Sequence, residues 1–343
     1  MKIVVAPDSF KECLSARQVA RAMSGAILEM YPHAEVTAIP LADGGEGTLD
    51  VLAGPMGAYI ETVSVSDPLG RPVNARYGIK DETAIIEVAE ACGLQLLSKT
   101  ERNPMLASSR GVGELILDAY GKGCRHFIIG LGGTATCDGG AGMMSVPGLQ
   151  VAISKCEVEL LCDVKAPFVG PLGAARVFAP QKGASQEQVE LLERRMLRVA
   201  AEIKEQTGVD ISSIPCAGAA GGIAGALMAY AKARVCAGVE RVMELCGFFE
   251  AIREADIIIT GEGKSDIQTL MGKVPLGVLK ESNGIPVALV SGRIEDRELL
   301  QKAGFRHIIE VSPRGASRDN VLNPALAIRN MKKAVQDLVV NDR

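Results

Sequence analysis

Five short apolar runs, at 2–6, 35–40, 256–260, 286–291 and 306–311, constrain this chain more than any other feature. Helical stretches separate them. The first is capped by Ser15 and repeats its apolar residues at three and four, through Val19, Met23, Ala26, Ile27 and Met30. Others lie at roughly 273–282 and 296–303, and one begins near Asn323. Short, largely apolar strands alternating with helices argue for a parallel sheet covered on both faces. Four polar loops then leave the carboxyl ends of these strands: Asp8-Ser9-Phe10-Lys11, Asp43-Gly44-Gly45-Glu46, Gly261-Glu262-Gly263-Lys264 and Ser291-Gly292-Arg293. Any one of them reads as an ordinary turn. Together they crowd the edge where open α/β sheets bind ligands.

The middle of the chain has another pattern. Strand-like runs at 59–65, 73–79 and 84–88, separated by Asp67-Pro68-Leu69-Gly70 and Lys80-Asp81, predict an antiparallel meander, with further strands at 127–130 and 158–161. A long helix starts at Ser185, where Gln188 completes a capping box, and ends at Gly208. With 343 residues, two domains are expected. The reading is an α/β domain from 1–65 joined with 250–343, and an inserted mixed α/β domain at 66–249.

Composition excludes several functions. A net charge of −4, 3% aromatics and no Trp give neither the clustered positive field nor the stacking platforms that nucleic acid needs. Nine scattered Cys without a C-x-x-C fit a reducing cytoplasm. The uncharged stretch 211–231 is broken by Pro215 and several Gly, so it reads as a buried helix and its approach, not a membrane span. Ile258 stands where a Walker A motif needs Gly, and neither G-x-G-x-x-G after a strand nor G-x-S-x-G occurs. His33, His126 and His307 lie on or beside strands, which disfavours His-based catalysis or a His-bound metal. Carboxylates, lysines and backbone amides remain. Two glycine-rich segments, 130–140 and 217–222, suit anion contacts through backbone N–H groups. Phosphoryl transfer, which works by positioning and charge neutralisation, fits that inventory.

The motifs Ala6-Pro7-Asp8-Ser9-Phe10-Lys11, Ala42-Asp43-Gly44-Gly45-Glu46-Gly47-Thr48, Gly111-Val112-Gly113-Glu114-Leu115-Ile116 and the 130–143 run carry a resemblance. So do Cys162-Asp163-Val164, Pro180-Gln181-Lys182-Gly183-Ala184, 218–222, Thr260-Gly261-Glu262-Gly263 and Asp266-Ile267-Gln268-Thr269 with Gly272-Lys273. In this order, along nearly the whole chain, they resemble the bacterial glycerate kinases of the first type, which phosphorylate D-glycerate with ATP. The resemblance implies a flavodoxin-like parallel-sheet domain with an inserted domain, an active site in the cleft between them, Mg²⁺, and a 2-phosphoglycerate product. It also implies roles. Asp43 is the first choice for the base, with Asp138 its rival, and Lys11 neutralises substrate carboxylate or phosphate. Asp8, Ser9, Gly44, Gly45 and Arg110 are assigned to glycerate. Gly132, Gly133, Thr134, Gln181, Lys182, Gly221, Gly222 and Lys273 are assigned to nucleotide phosphates. Asp163, Glu262 and Asp266 are assigned to Mg²⁺.

Two departures stand out. Cys137 replaces the usual Asn, and the stretch between Met143 and Cys162 is a few dozen residues short, through either a lost edge segment or a missing loop; a missing loop predicts a chain break at 145–148. Other readings are a kinase for another short hydroxy acid, such as tartronate or lactate, or a silent flavodoxin-like ligand sensor. The oligomeric state stays open, a homodimer included.

Overall fold

Ile3, Val4, Val5, Ile258, Ile259, Ala288, Leu289 and Val290 are fully buried, as expected for strands whose two faces are both covered. In the computed structural model, which describes residues 1–313 and 315–341, they lie in a five-stranded sheet. Its order is His307–Glu310, Val287–Ser291, Ile257–Thr260, Lys2–Val5, Glu35–Ala38, and every pair is parallel. The expected α/β sheet is therefore present. The helix Ala16–Met30 opens with the Ser15–Gln18 capping box. Its buried Val19, Met23 and Ile27 share a core with Met331, Val335 and Leu338 of the helix Pro324–Asn341.

This sheet belongs to a first compact unit, Met1–Asp43 with Val239–Arg343; Gly44–Gly238 form the second. The first unit thus ends at Asp43, not at 65. The strand Tyr59–Ser66 pairs along its whole length with Pro72–Lys80, and this draws it into the second unit. The return comes at Val239, ahead of the expected 250, because Val239 packs against the backbone at Gly277 of the first unit.

The second unit holds a six-stranded sheet in plain chain order: Tyr59–Ser66, Pro72–Lys80, Thr83–Glu87, His126–Gly130, Glu157–Leu161 and Arg234–Cys236. The first three are antiparallel, as the meander predicts, and the rest parallel. The helix Gln186–Thr207 carries the Ser185–Gln188 capping box and stops at Gly208, whose φ is 75°. Within 211–231 the helix Ile223–Ala231 has only 9 residues, and among the described residues no helix is long and apolar enough to cross a membrane. The predicted break is absent. Turn hydrogen bonds from Ser145 N–H to Ala141 O, Val146 N–H to Met143 O and Leu149 N–H to Val146 O carry the backbone through 145–148.

Candidate active site

The carboxyl edge of the five-stranded sheet is stitched by main-chain hydrogen bonds that continue beyond the strands. Leu41 N–H donates to Pro7 O at 2.9 Å, Asp8 N–H to Gly261 O at 2.8 Å, Gly292 N–H to Glu262 O at 3.1 Å and Ser312 N–H to Gly292 O at 2.9 Å. Only glycine permits this spacing at 261, since a Cβ there would run into the Val290 carbonyl oxygen. The stitched loops bring Asp8, Ser9, Lys11, Glu262, Lys273 and Arg293 onto one cavity of about 570 Å³. Asp8 is 5% exposed and accepts the Ser9 N–H at 2.6 Å. Burial first, and then the neighbouring Asp43 charge, push its carboxyl up to about 7, against the Ser9 hydrogen bond and Lys11. Sequence reading assigned Asp8 to substrate and missed this titration, because the burial of a loop carboxylate has no sequence signal.

Glu262 is buried and engaged. Its Oε1 accepts from Ser265 Oγ at 3.0 Å and Thr269 Oγ1 at 2.5 Å, and its Oε2 from Lys273 Nζ at 3.3 Å; burial raises its pKa against Lys273. Asp266 accepts the Gln268 N–H at 2.8 Å and pairs with Lys264 Nζ at 3.1 Å. Asp163, in the second unit, accepts the Gly238 N–H at 2.9 Å. The three carboxylates expected for Mg²⁺ are each held by protein donors. Among the described residues no three His, Cys, Asp or Glu side chains are gathered to hold a metal ion. An Mg²⁺ carried on nucleotide phosphates needs no such cage, since one or two carboxylates beside the phosphates suffice.

The second unit gathers most of the remaining expected residues. Gly44 has a φ of 84°, and a Cβ on it would lie 2.8 Å from that of Leu161, so glycine is required. Its carbonyl accepts the Gly132 N–H at 3.2 Å, which joins the Gly44-Gly45 turn to the 130–140 loop. Gly139 N–H in turn donates to Gly221 O at 2.9 Å. Glu87, a residue that sequence reasoning passed over, accepts the Gly47 N–H at 3.1 Å and the Leu49 N–H at 3.3 Å. It caps the helix Thr48–Met56 from the end of a neighbouring strand, and burial lifts its carboxyl to about 7. The clue available in sequence was an acidic residue closing an otherwise apolar strand.

Asp138 and Lys182 turn inward. Asp138 Oδ2 accepts Ser109 N–H and Ser109 Oγ, both at 2.8 Å, and Gly142 N–H at 3.1 Å, while Oδ1 accepts Gly140 N–H at 3.1 Å. A carboxylate so occupied staples the 138–142 loop to the start of the helix Arg110–Gly121. Asp138→Ala, by leaving buried donors unpaired, is expected to cost about 2 kcal/mol or more of unfolding free energy in urea titration. Lys182 is 4% exposed, and its Nζ donates to Thr134 Oγ1 at 2.9 Å and Thr136 O at 2.7 Å; burial lowers its pKa. It holds the loop from beneath. Gln181 beside it is exposed. Arg110 pairs with Glu114 at 2.8 Å on an exposed helix face. Cys137 is buried with its Sγ 3.6 Å from Met196 Sδ, a soft contact in place of the amide expected there.

The family model described as the glycerate kinase family matches residues 3–152 and 144–340. The two matches overlap at 144–152. The glycerate 2-kinase of Escherichia coli K12 is 39% identical over 328 residues, covering 86% of each chain. A glycerate kinase of Halalkalibacterium halodurans is 36% identical over 98% of this chain and 97% of its own. A crystal structure from Salmonella typhimurium LT2, described as a glycerate kinase 2, superposes with a TM-score of 0.84 at 36% identity, over 99% of this chain and 98% of that one.

Proposed function

Because the chain belongs to the glycerate kinase family, we propose that it transfers the terminal phosphoryl group of ATP to a hydroxyl of D-glycerate. The products are 2-phosphoglycerate, ADP and a proton; the 2-position follows the name of the Escherichia coli relative. The observation that carries this reading is the stitched sheet edge. There Asp8, Lys11 and Glu262 line one cavity, and Asp43 stands near enough to act on the Asp8 charge.

In this reading Asp43 accepts the proton of the attacking hydroxyl, and it contributes mainly by orienting that oxygen. Lys11 offsets the charge of the substrate carboxylate or the phosphoryl in flight, with Ser9, Gly44, Gly45 and Arg110 as further glycerate contacts. Mg²⁺ arrives with ATP as part of the substrate. Glu262, Asp266 and Asp163 are the carboxylates that would face it, directly or through water, and the ion would neutralise phosphate charge. Gly132, Gly133, Thr134, Gln181, Gly221, Gly222 and Lys273 remain phosphate contacts, and Lys182 acts by holding the 134–136 turn. We place the protein in the cytoplasm, in keeping with nine cysteines that are all free thiols.

The test is ATP consumption with Mg²⁺ across D-glycerate, tartronate and lactate, with the product read by phosphorus NMR. D-Glycerate should give the highest kcat/KM and a 2-phosphate signal. A preference for tartronate or lactate would reassign the substrate, a 3-phosphate the position, and no turnover would leave a ligand sensor.

A further inference from the structure

The cavity at the sheet edge has a second side that the chemistry above does not use. Opposite in character to its carboxylates and lysines, Cys13, Val311, Ala316, Val321, Leu322 and Ala327 give it an aliphatic lining. Cys13 is tied into that wall, its Sγ lying 3.8 Å from the Val321 carbonyl oxygen. A three-carbon acid carrying a carboxylate and two hydroxyls gains nothing from such a surface, and it fills only a small part of about 570 Å³. That volume lies in the range of sites for cofactor-sized ligands, which combine an apolar body with a few polar anchors.

We propose that this cavity, within the first unit alone, receives the nucleoside of ATP, its base against the aliphatic wall and its phosphates directed to the basic residues of the same lining. The inference rests on the kinase reading and goes beyond it by assigning the nucleoside site. Charge selects the ligand class. Lys264 is already paired with Asp266 and Glu295, and Lys273 with Glu262. The half-buried Arg293 guanidinium has no ion-pair partner among the described residues, and a planar fork of donors beside an apolar wall matches phosphates carried through a ribose by a flat base.

Cys13 makes the occupant readable without turnover, because a bound nucleoside would cover it. The wild-type protein is treated with a maleimide, alone or with saturating MgATP, adenosine or D-glycerate, and alkylation at Cys13 is quantified by peptide mass. MgATP and adenosine should slow alkylation about tenfold, and glycerate should leave it unchanged. In parallel, Leu322→Trp, at a half-buried position, should raise KM for ATP about tenfold and keep KM for glycerate within about twofold. Arg293→Gln should raise KM for ATP while adenosine still protects Cys13. Equal alkylation with and without MgATP, or protection by glycerate instead, would overturn the assignment. The two readings fail separately: wild-type protein that turns over no glycerate while nucleotide still shields Cys13 defeats the kinase reading and supports the pocket.

Discussion

Asp43→Asn is expected to lower kcat by about 10²-fold or more, while the urea midpoint stays within error of wild type. The residue is half-buried in a loop that follows the strand Glu35–Ala38, and it ends the first unit, so the sheet does not depend on its charge. An amide can still accept a hydrogen bond from the glycerate hydroxyl but cannot take its proton. KM for glycerate should therefore change less than kcat. Turnover near the wild-type level would move the base to Asp8; Asp138, with four donors already on its oxygens, is no longer the natural second choice.

The second large effect is a pH dependence centred on Asp8. With its carboxyl lifted to about 7 by burial and by Asp43, log kcat/KM should fall with a slope near one as pH drops below about 7. In Asp8→Asn that limb should vanish. Stability moves the other way. A carboxyl whose folded pKa is raised holds its proton more tightly in the folded state. The stabilisation this supplies is complete below the unfolded value near 4 and is lost as pH rises towards 7. Thermal scans should show D8N melting above wild type at pH 8, by several degrees, with the difference closing towards pH 4. A wild-type profile flat from pH 6 to 8 would refute the assignment of that limb to Asp8.

Much of the architecture was legible because its signals are local. Runs such as Ile3-Val4-Val5 and Ile257-Ile258-Ile259 can only be doubly covered strands, and the Ser15–Gln18 and Ser185–Gln188 pairs mark their helices outright. What escaped depends on partners distant in sequence. Arg234–Cys236 is three residues long and begins with a charge, so only its neighbour Glu157–Leu161 makes it a strand. Tyr59–Ser66 reads equally well as the last element of one unit or the first of the next until its pairing is known. In the site, the motifs pointed to residues without saying which way they face. Lys182 is in a Pro-Gln-Lys-Gly turn that looks solvated, yet its amine is buried against Thr134 and Thr136. Glu87 gave no motif at all, although it holds the turn after Asp43.

The sheet order has a consequence for how the protein is made. The strand Lys2–Val5 lies between Glu35–Ala38 and Ile257–Thr260, so its second neighbour is about 250 residues away along the chain. On the ribosome, Asp8 and Asp43 emerge early. The intervening 44–238 block is continuous and has its own sheet, so it can fold while the opening strand still waits for its second partner. Contacts closed over such a loop form late and slowly. Nascent chains arrested after residue 238 but before Ile257–Thr260 has cleared the exit tunnel should therefore resist protease across 44–238 and be cut within the first 43 residues, and that opening segment should become resistant only once that strand has emerged.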